Sequence, residues 1–167
     1  MRFIAMTWGL GGVFLLIGSA VYRLTPYAAE ALQSGLTTFQ WVAAILWSVF
    51  MLVAEGYRGF QKQFSPRVVA RSKYLATHPK PLHVLLAPAF CMGFFHATKK
   101  RITVTWCLFT GIVILIIIVR TLPQPWRGIV DLGVVLGLAY GLLWILIYAA
   151  KCYGGGRFEV DPETPET

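Results

Sequence analysis

Four long apolar stretches, separated by polar segments, organise the chain. A helix of about 20 residues crosses the roughly 30 Å apolar core of a bilayer, and each stretch is about that long. Because lipid offers no partners to backbone N–H and C=O groups, a stretch that crosses it has to be helical. The pattern predicts an all-α integral membrane protein with transmembrane helices over about residues 3–22, 39–57, 102–119 and 129–150.

The composition agrees with this class. Hydrophobic residues make up 57% of the chain and charged residues 13%, about half the charged fraction of a soluble domain. We interpret residues 1–152 as a single membrane domain, whose first stretch is a retained span rather than a cleaved signal peptide. Residues 153–167 hold four of the seven acids and no apolar run, which predicts a flexible acidic tail.

Basic residues are concentrated in one interior block. No Asp or Glu lies between Glu55 and Asp131, whereas that interval holds eleven Lys and Arg, nine of them before Ile102. Basic loops beside spanning helices stay on the cytoplasmic side. The block therefore predicts a bacterial-type inner-membrane protein with both termini cytoplasmic. We expect the net charge of +8 to face anionic headgroups and not nucleic acid, because no recognisable reading module accompanies it.

The segment 82–97 is apolar but short. As one helix its 16 residues would rise about 24 Å, and Pro88 would interrupt that helix. Four spans place twelve basic residues inside and three outside, whereas a fifth span through this segment changes the split to nine and six. The charges favour a broken or re-entrant hydrophobic segment on the cytoplasmic side, with a fifth span as the alternative.

A short amphipathic helix is predicted within the region 58–101, between the second span and this segment. Ser65 suits an N-cap and Pro66 the first helical turn, so the helix extends from Pro66 to Ala76. Basic amphipathic helices beside spans typically lie in the membrane interface. Topological anchoring is the simpler interpretation. The functional one is a face for anionic lipid or an acidic partner, formed by six basic side chains: Arg67, Arg71, Lys73, Lys99, Lys100 and Arg101.

Three glycines recur at four-residue spacing in the last span. Gly133, Gly137 and Gly141 lie on one helix face, because four residues advance about 400°. Small residues at this spacing let a second helix approach closely. The face predicts helix packing, either within the chain or with a partner chain as an oligomer face.

Glu55 and Asp131 each lie about one turn from an arginine, which is Arg58 for Glu55 and Arg127 for Asp131. Opposite charges at this spacing form intrahelical pairs, and we expect one at each position. Charged groups near mid-membrane would instead indicate an ion or proton pathway.

Three residues with catalytic or ligating chemistry lie in the broken segment: His83, Cys91 and His96. The histidines are 13 residues apart, which leaves their rings about 140° apart on a continuous helix. A haem is therefore not expected, and the i,i+5 spacing of Cys91 and His96 is poor for a nucleophile–base pair. We expect the histidines near the headgroups at the two ends of the segment. The isolated cysteines predict no metal site, redox motif or disulfide, so no cofactor is expected.

The chain contains no phosphate-binding glycine loop, HExxH, GxSxG or paired catalytic carboxylates. It therefore predicts a non-enzymatic, multi-pass inner-membrane protein of structural, assembly or regulatory type, which binds another membrane protein or itself. The alternative is an oligomeric channel or transporter for an anionic or lipid-like substrate. A third hypothesis is a membrane enzyme with a cytoplasmic-face site that uses His83, Cys91 or His96.

Overall fold

The computed structural model describes residues 2–155 and 158–165, and every regular element in these ranges is helical. In chain order the elements are α1 (Arg2–Gln33), α2 (Thr38–Met51), a π-helical segment (Leu52–Phe64), α3 (Ser65–Thr77), α4 (Pro81–Leu85), α5 (Ala87–Met92), α6 (Lys99–Arg120) and α7 (Trp126–Tyr153). The backbone stays helical at both ends of the π-helical segment, so α2, this segment and α3 form one continuous helix.

Four helices are long and apolar enough to cross a membrane, which confirms the prediction of a multi-pass, all-helical membrane protein. They overlap all four predicted spans: Ile4–Gln33, Thr38–Thr77, Lys99–Arg120 and Trp126–Tyr153. The first span is longer than predicted. α1 continues past Arg23 and contains Pro26, so neither the charge nor the proline ends the helix.

Three of the four long helices stand side by side. α7 runs parallel to the continuous helix 38–77: the rings of Phe39 and Trp126 are 6.1 Å apart at one end. At the other end the Ser72 and Tyr153 hydroxyls are 2.6 Å apart. α1 runs antiparallel to α7, and its Tyr27 lies against Gly128 near the start of α7. The start of α1 and the end of α7 therefore lie at the same end of the bundle.

A hydrophobic core cluster joins α1, α3, α5 and α7 at that end. This end also carries Arg67, Arg71 and Arg101 and is called the basic end below. The fully packed members of the cluster are Ala5, Val13, Val68, Leu75, Ala87, Phe90, Cys91 and Ile145. α3 covers the predicted range, but it continues the helix 38–77, so Ser65 is not an N-cap. Most of its residues are buried, and Val68 and Leu75 belong to this cluster. The helix packs against α1, α5 and α7, so its exposed surface is smaller than that of a free amphipathic helix, and its placement in the membrane interface stays a prediction.

The segment 82–97 does not form one helix. α4 ends at Leu85 and α5 at Met92. Gly93 follows as the C-cap, and its φ of 85° is a left-handed conformation that glycine adopts without strain. Pro88 packs directly against Gly12 of α1, where a β-carbon would collide with the proline ring. This contact covers the side of the segment that faces α1, whereas Leu85 and Leu86 at the break itself are exposed.

Candidate functional site

Arg71 is the organising side chain of the basic end, with only 2% of its surface exposed. Its Nε donates to the Phe90 carbonyl oxygen at 2.6 Å. Its terminal nitrogens donate to the carbonyl oxygens of Pro162 at 2.8 Å and of Phe95 and His96 at 3.0 Å each. Carbonyl groups after the end of a short helix have no intrahelical partner, and a guanidinium with five donors suits several of them at once.

This arrangement corrects one part of the predicted lipid or partner face. Arg71 is buried and bonded to backbone, so it does not reach headgroups. The other five residues divide into two groups. Arg67 and Arg101 contact Glu163 of the tail, whereas three lysines remain exposed: Lys73, Lys99 and Lys100.

The described part of the tail, residues 158–165, docks on the basic end. Glu163 Oε1 lies 3.3 Å from Arg67 Nη1, and its Oε2 lies 3.9 Å from Arg101 Nε. The Thr98 backbone N–H donates to the Glu163 carbonyl oxygen at 3.0 Å, and Thr164 is fully buried. The expectation of a flexible tail therefore does not describe this part, because arginines on α3 and α6 attract its carboxylate. Residues 156, 157, 166 and 167 of the predicted tail lie outside the described residues.

His83 and His96 lie together, contrary to the expectation that they occupy opposite ends of the segment. Their ring centroids are 4.5 Å apart, and the Phe90 ring is 5.0 Å from the first and 6.0 Å from the second. Gly93 and His96 both have positive φ values, 85° and 49°. These residues fold the segment back on itself, so the angular argument for a continuous helix does not apply.

Cys91 packs against α1. A β-carbon on Gly9 would lie 2.9 Å from the Cys91 sulfur, and only 1% of the cysteine is exposed. Burial raises the pKa of the Cys91 thiol to about 12, although Arg71 acts in the opposite direction. The reactive form of a cysteine is the thiolate, so this environment disfavours a nucleophilic role. Among the described residues, no three His, Cys, Asp or Glu side chains are grouped to hold a metal ion.

The glycine face of α7 is occupied within the chain. A β-carbon on Gly133 would lie 2.5 Å from the Trp47 ring. One on Gly137 would lie 2.9 Å from Glu55 Oε2, and one on Gly141 would collide with the ring of Phe60. The continuous helix 38–77 therefore fills this face, and the interpretation as an oligomer face no longer applies to it.

The two acids of the spans behave differently. Asp131 pairs with Arg127 at 3.7 Å, as the spacing predicts, and the Arg127 guanidinium lies 3.7 Å from the Tyr27 ring centroid on α1. The described residues show no pair between Glu55 and Arg58. Glu55 instead faces α7, and its buried Oε2 has no hydrogen-bond partner in the described structure. The spacing argument failed because π-helical hydrogen bonds join residues five apart, so residues three apart no longer share a face.

α6 is almost uncovered. Only 6% of its most apolar stretch is buried, compared with 33% for α7. Its beginning is held by Phe94, whose ring lies 5.3 Å from that of Trp106 and whose carbonyl oxygen accepts from Trp106 Nε1 at 3.3 Å. Beyond this point each side chain from Ile112 to Ile118 is 40–60% exposed. No side of this part of the helix is packed against the rest of the described chain.

These features define a multi-pass helical membrane protein with a packed basic end and one helix that stands apart. No protein-family model, curated protein or solved structure matches the chain. We therefore infer a function from the residues of the chain itself.

Proposed function

We propose that this protein is a non-enzymatic assembly subunit of a bacterial-type inner membrane, with both termini cytoplasmic, that binds a second copy of itself through α6. The observation that carries the proposal is the exposure of α6. In lipid, exposed apolar surface alone does not drive association, because acyl chains solvate it as well as protein does. The small residues along one side of α6 give further support.

Thr103, Cys107 and Gly111 recur at four-residue spacing along α6, and all three are exposed. Apart from the helix's own backbone, no atom of the described residues lies within 4 Å of the position of a Gly111 β-carbon. A line of small side chains lets another helix approach closely and gain dispersion contacts. The same line on two copies can face itself across a two-fold axis, which is the commonest symmetry of homo-oligomers.

The transport hypothesis receives less support. A groove of about 500 Å³ between α2 and α7 is lined by apolar side chains, among them Trp47, Phe50 and Trp126. Ion and anion pathways are lined by carbonyls or charged side chains. The enzyme hypothesis also receives less support, because Cys91 is buried in a core cluster and a substrate would not reach its thiol.

Disulfide cross-linking in native membranes tests the proposal. Cys107 is exposed, Cys91 is buried and Cys152 is intermediate, so a Cys152→Ser variant leaves Cys107 as the one exposed thiol. We expect copper-phenanthroline oxidation to produce a dimer of this variant. Gly111→Leu should reduce the dimer yield several-fold, because the bulkier side chain prevents close approach.

Gly18→Leu on α1 is the matched control, because Gly18 is also a glycine with no neighbour within 4 Å. It should leave the yield unchanged. A cross-linked band of another mass would indicate a different membrane partner in place of a second copy. The absence of any cross-link would overturn the proposal.

A further inference from the structure

Arg67 and Arg101 approach the same point from two different helices. Arg67 lies on α3 and Arg101 in the first turn of α6, and both contact the carboxylate of Glu163. Their side chains are only 19% and 10% exposed. Like charges that share a poorly hydrated site repel one another. The two arginines are therefore arranged around an anion.

Glu163 does not fill this site. Its oxygens lie 3.3 Å and 3.9 Å from the guanidinium nitrogens, longer than the roughly 2.7–2.9 Å of strong charge-assisted hydrogen bonds. Arg71, one turn after Arg67, adds a third guanidinium that is bonded to carbonyl oxygens. One carboxylate thus faces three positive charges, which leaves an excess of two. Exposed Asp161, which accepts from the Glu163 backbone N–H at 2.7 Å, offsets this in part.

Two buried donors beside the site also lack a partner within the described residues. One is Arg67 Nε, and the other is Thr105 Oγ1, in a residue that is 7% exposed. Thr105 lies one turn after Arg101 on the same side of α6. A β-carbon on Gly93 would lie 3.4 Å from both Arg101 Nε and Thr105 Oγ1. Gly93 therefore sits beside both groups without filling the space next to them.

We propose that Arg67, Arg101 and Thr105 form a binding site for a phosphate monoester, and that Glu163 is a built-in occupant which this ligand displaces. A phosphate monoester carries about −1.5 to −2 charges at pH 7 and three acceptor oxygens. In place of the Glu163 carboxylate, that charge lowers the excess from two positive charges to about one, and the extra oxygens suit the unpartnered donors. A lipid headgroup and a soluble phosphate ester share this chemistry.

The test uses the full chain in detergent, with bound lipid counted by native mass spectrometry. The probes are phosphatidic acid, a monoester, and phosphatidylglycerol, a diester. Glu163→Gln should bind phosphatidic acid about tenfold more tightly than the unmodified chain, which corresponds to about 1.4 kcal/mol. Adding Arg101→Gln to this variant should remove the gain. Glu159→Gln is the matched control, since Glu159 makes no ion pair in the described structure.

Glycerol 3-phosphate at millimolar concentration distinguishes the sources. Competition by it would support a soluble monoester, and no competition would support a lipid headgroup. Equal gains for phosphatidylglycerol, or no gain for Glu163→Gln, would overturn the proposal.

Thr105→Val is the second variant, for the case that Glu163→Gln does not fold. It preserves side-chain shape and removes the unpartnered hydroxyl. It should lower phosphatidic acid binding by the otherwise unmodified chain several-fold. Unchanged binding would overturn the proposal as well.

Discussion

Arg71 donates a hydrogen bond of 2.6 Å to the carbonyl oxygen of Phe90 and also lies over the Phe90 ring, 4.3 Å from its centroid. One residue of α3 thereby contacts both the backbone and the side chain of one residue of α5. Because Arg71 also bonds to Pro162, the same guanidinium joins α3, α5 and the tail. Arg71 of the basic block therefore stabilises the fold from a buried position and is not part of the surface.

The first prediction concerns this anchor. Arg71→Lys keeps the charge but replaces a planar fork of five donors by a compact ammonium with three. Buried carbonyl oxygens then lose partners, and we expect a loss of at least about 2 kcal/mol. Thermal unfolding in detergent should show a fall in Tm of roughly 5 °C or more. Arg58→Lys, at an exposed arginine, is the control, and an equal fall there would contradict the assignment.

The second prediction concerns the glycine face of α7. Gly133→Ala places a β-carbon 2.5 Å from the Trp47 ring, and the resulting overpacking should cost about 1–3 kcal/mol. Gly111→Ala on α6 meets no atom, so its Tm should not fall. The comparison is made by thermal unfolding of the two variants in the same detergent. Equal stability of the two would show that the face is not packed within the chain.

The third prediction contrasts the two acids of the spans. Buried Glu55 Oε2 has no hydrogen-bond partner in the described structure, and burying an unpaired charge destabilises the fold more than burying a neutral amide of the same shape. Glu55→Gln removes the charge and should raise Tm. Asp131→Asn leaves Arg127 without its partner and should lower stability by on the order of 1 kcal/mol. A fall in Tm for Glu55→Gln would reveal a partner for this carboxylate.

The fourth prediction concerns pH. Because burial raises the pKa of the Cys91 thiol to about 12, the thiol stays protonated between pH 7 and 9 and its thiolate fraction remains small. We expect N-ethylmaleimide to leave Cys91 unmodified across this pH range. Peptide mass spectrometry measures the fraction of Cys91 that is modified. Denaturation should make the residue reactive. Modification that rises steeply near pH 8 in the folded protein would contradict the buried placement.

The four spans were predictable because two constraints apply to each apolar stretch separately. The thickness of the bilayer sets the length of a spanning helix, and lipid requires the backbone to form its hydrogen bonds within the helix. The pair of Arg127 and Asp131 was predictable for a similar reason, since four residues on an α-helix share a face. The same rule also predicted a pair of Glu55 and Arg58, which the described residues do not show, because this part of the helix is π-helical. Nothing in the local composition distinguishes a π-helical turn from an α-helical one.

The site at the basic end depends on contacts between distant parts of the chain. Arg67 and Glu163 are 96 residues apart, and Arg71 reaches Pro162 over 91 residues. Local spacing contains no information on such distances, so the acidic tail was expected to be flexible and Arg71 to lie at the surface. The sequence offered one signal for this contact: the tail is acidic, whereas the interior block is basic.

The sequence by itself determined the class of the protein, its four spanning helices and the line of small residues that lets helices of this chain approach closely. Only the tertiary structure decided where each of these is used. It buried the Gly133 face against Trp47, covered the arginines with the tail and left α6 uncovered. The reason is physical: lipid acts on every residue of an apolar stretch alike, whereas partner choice depends on which side chains the fold brings together.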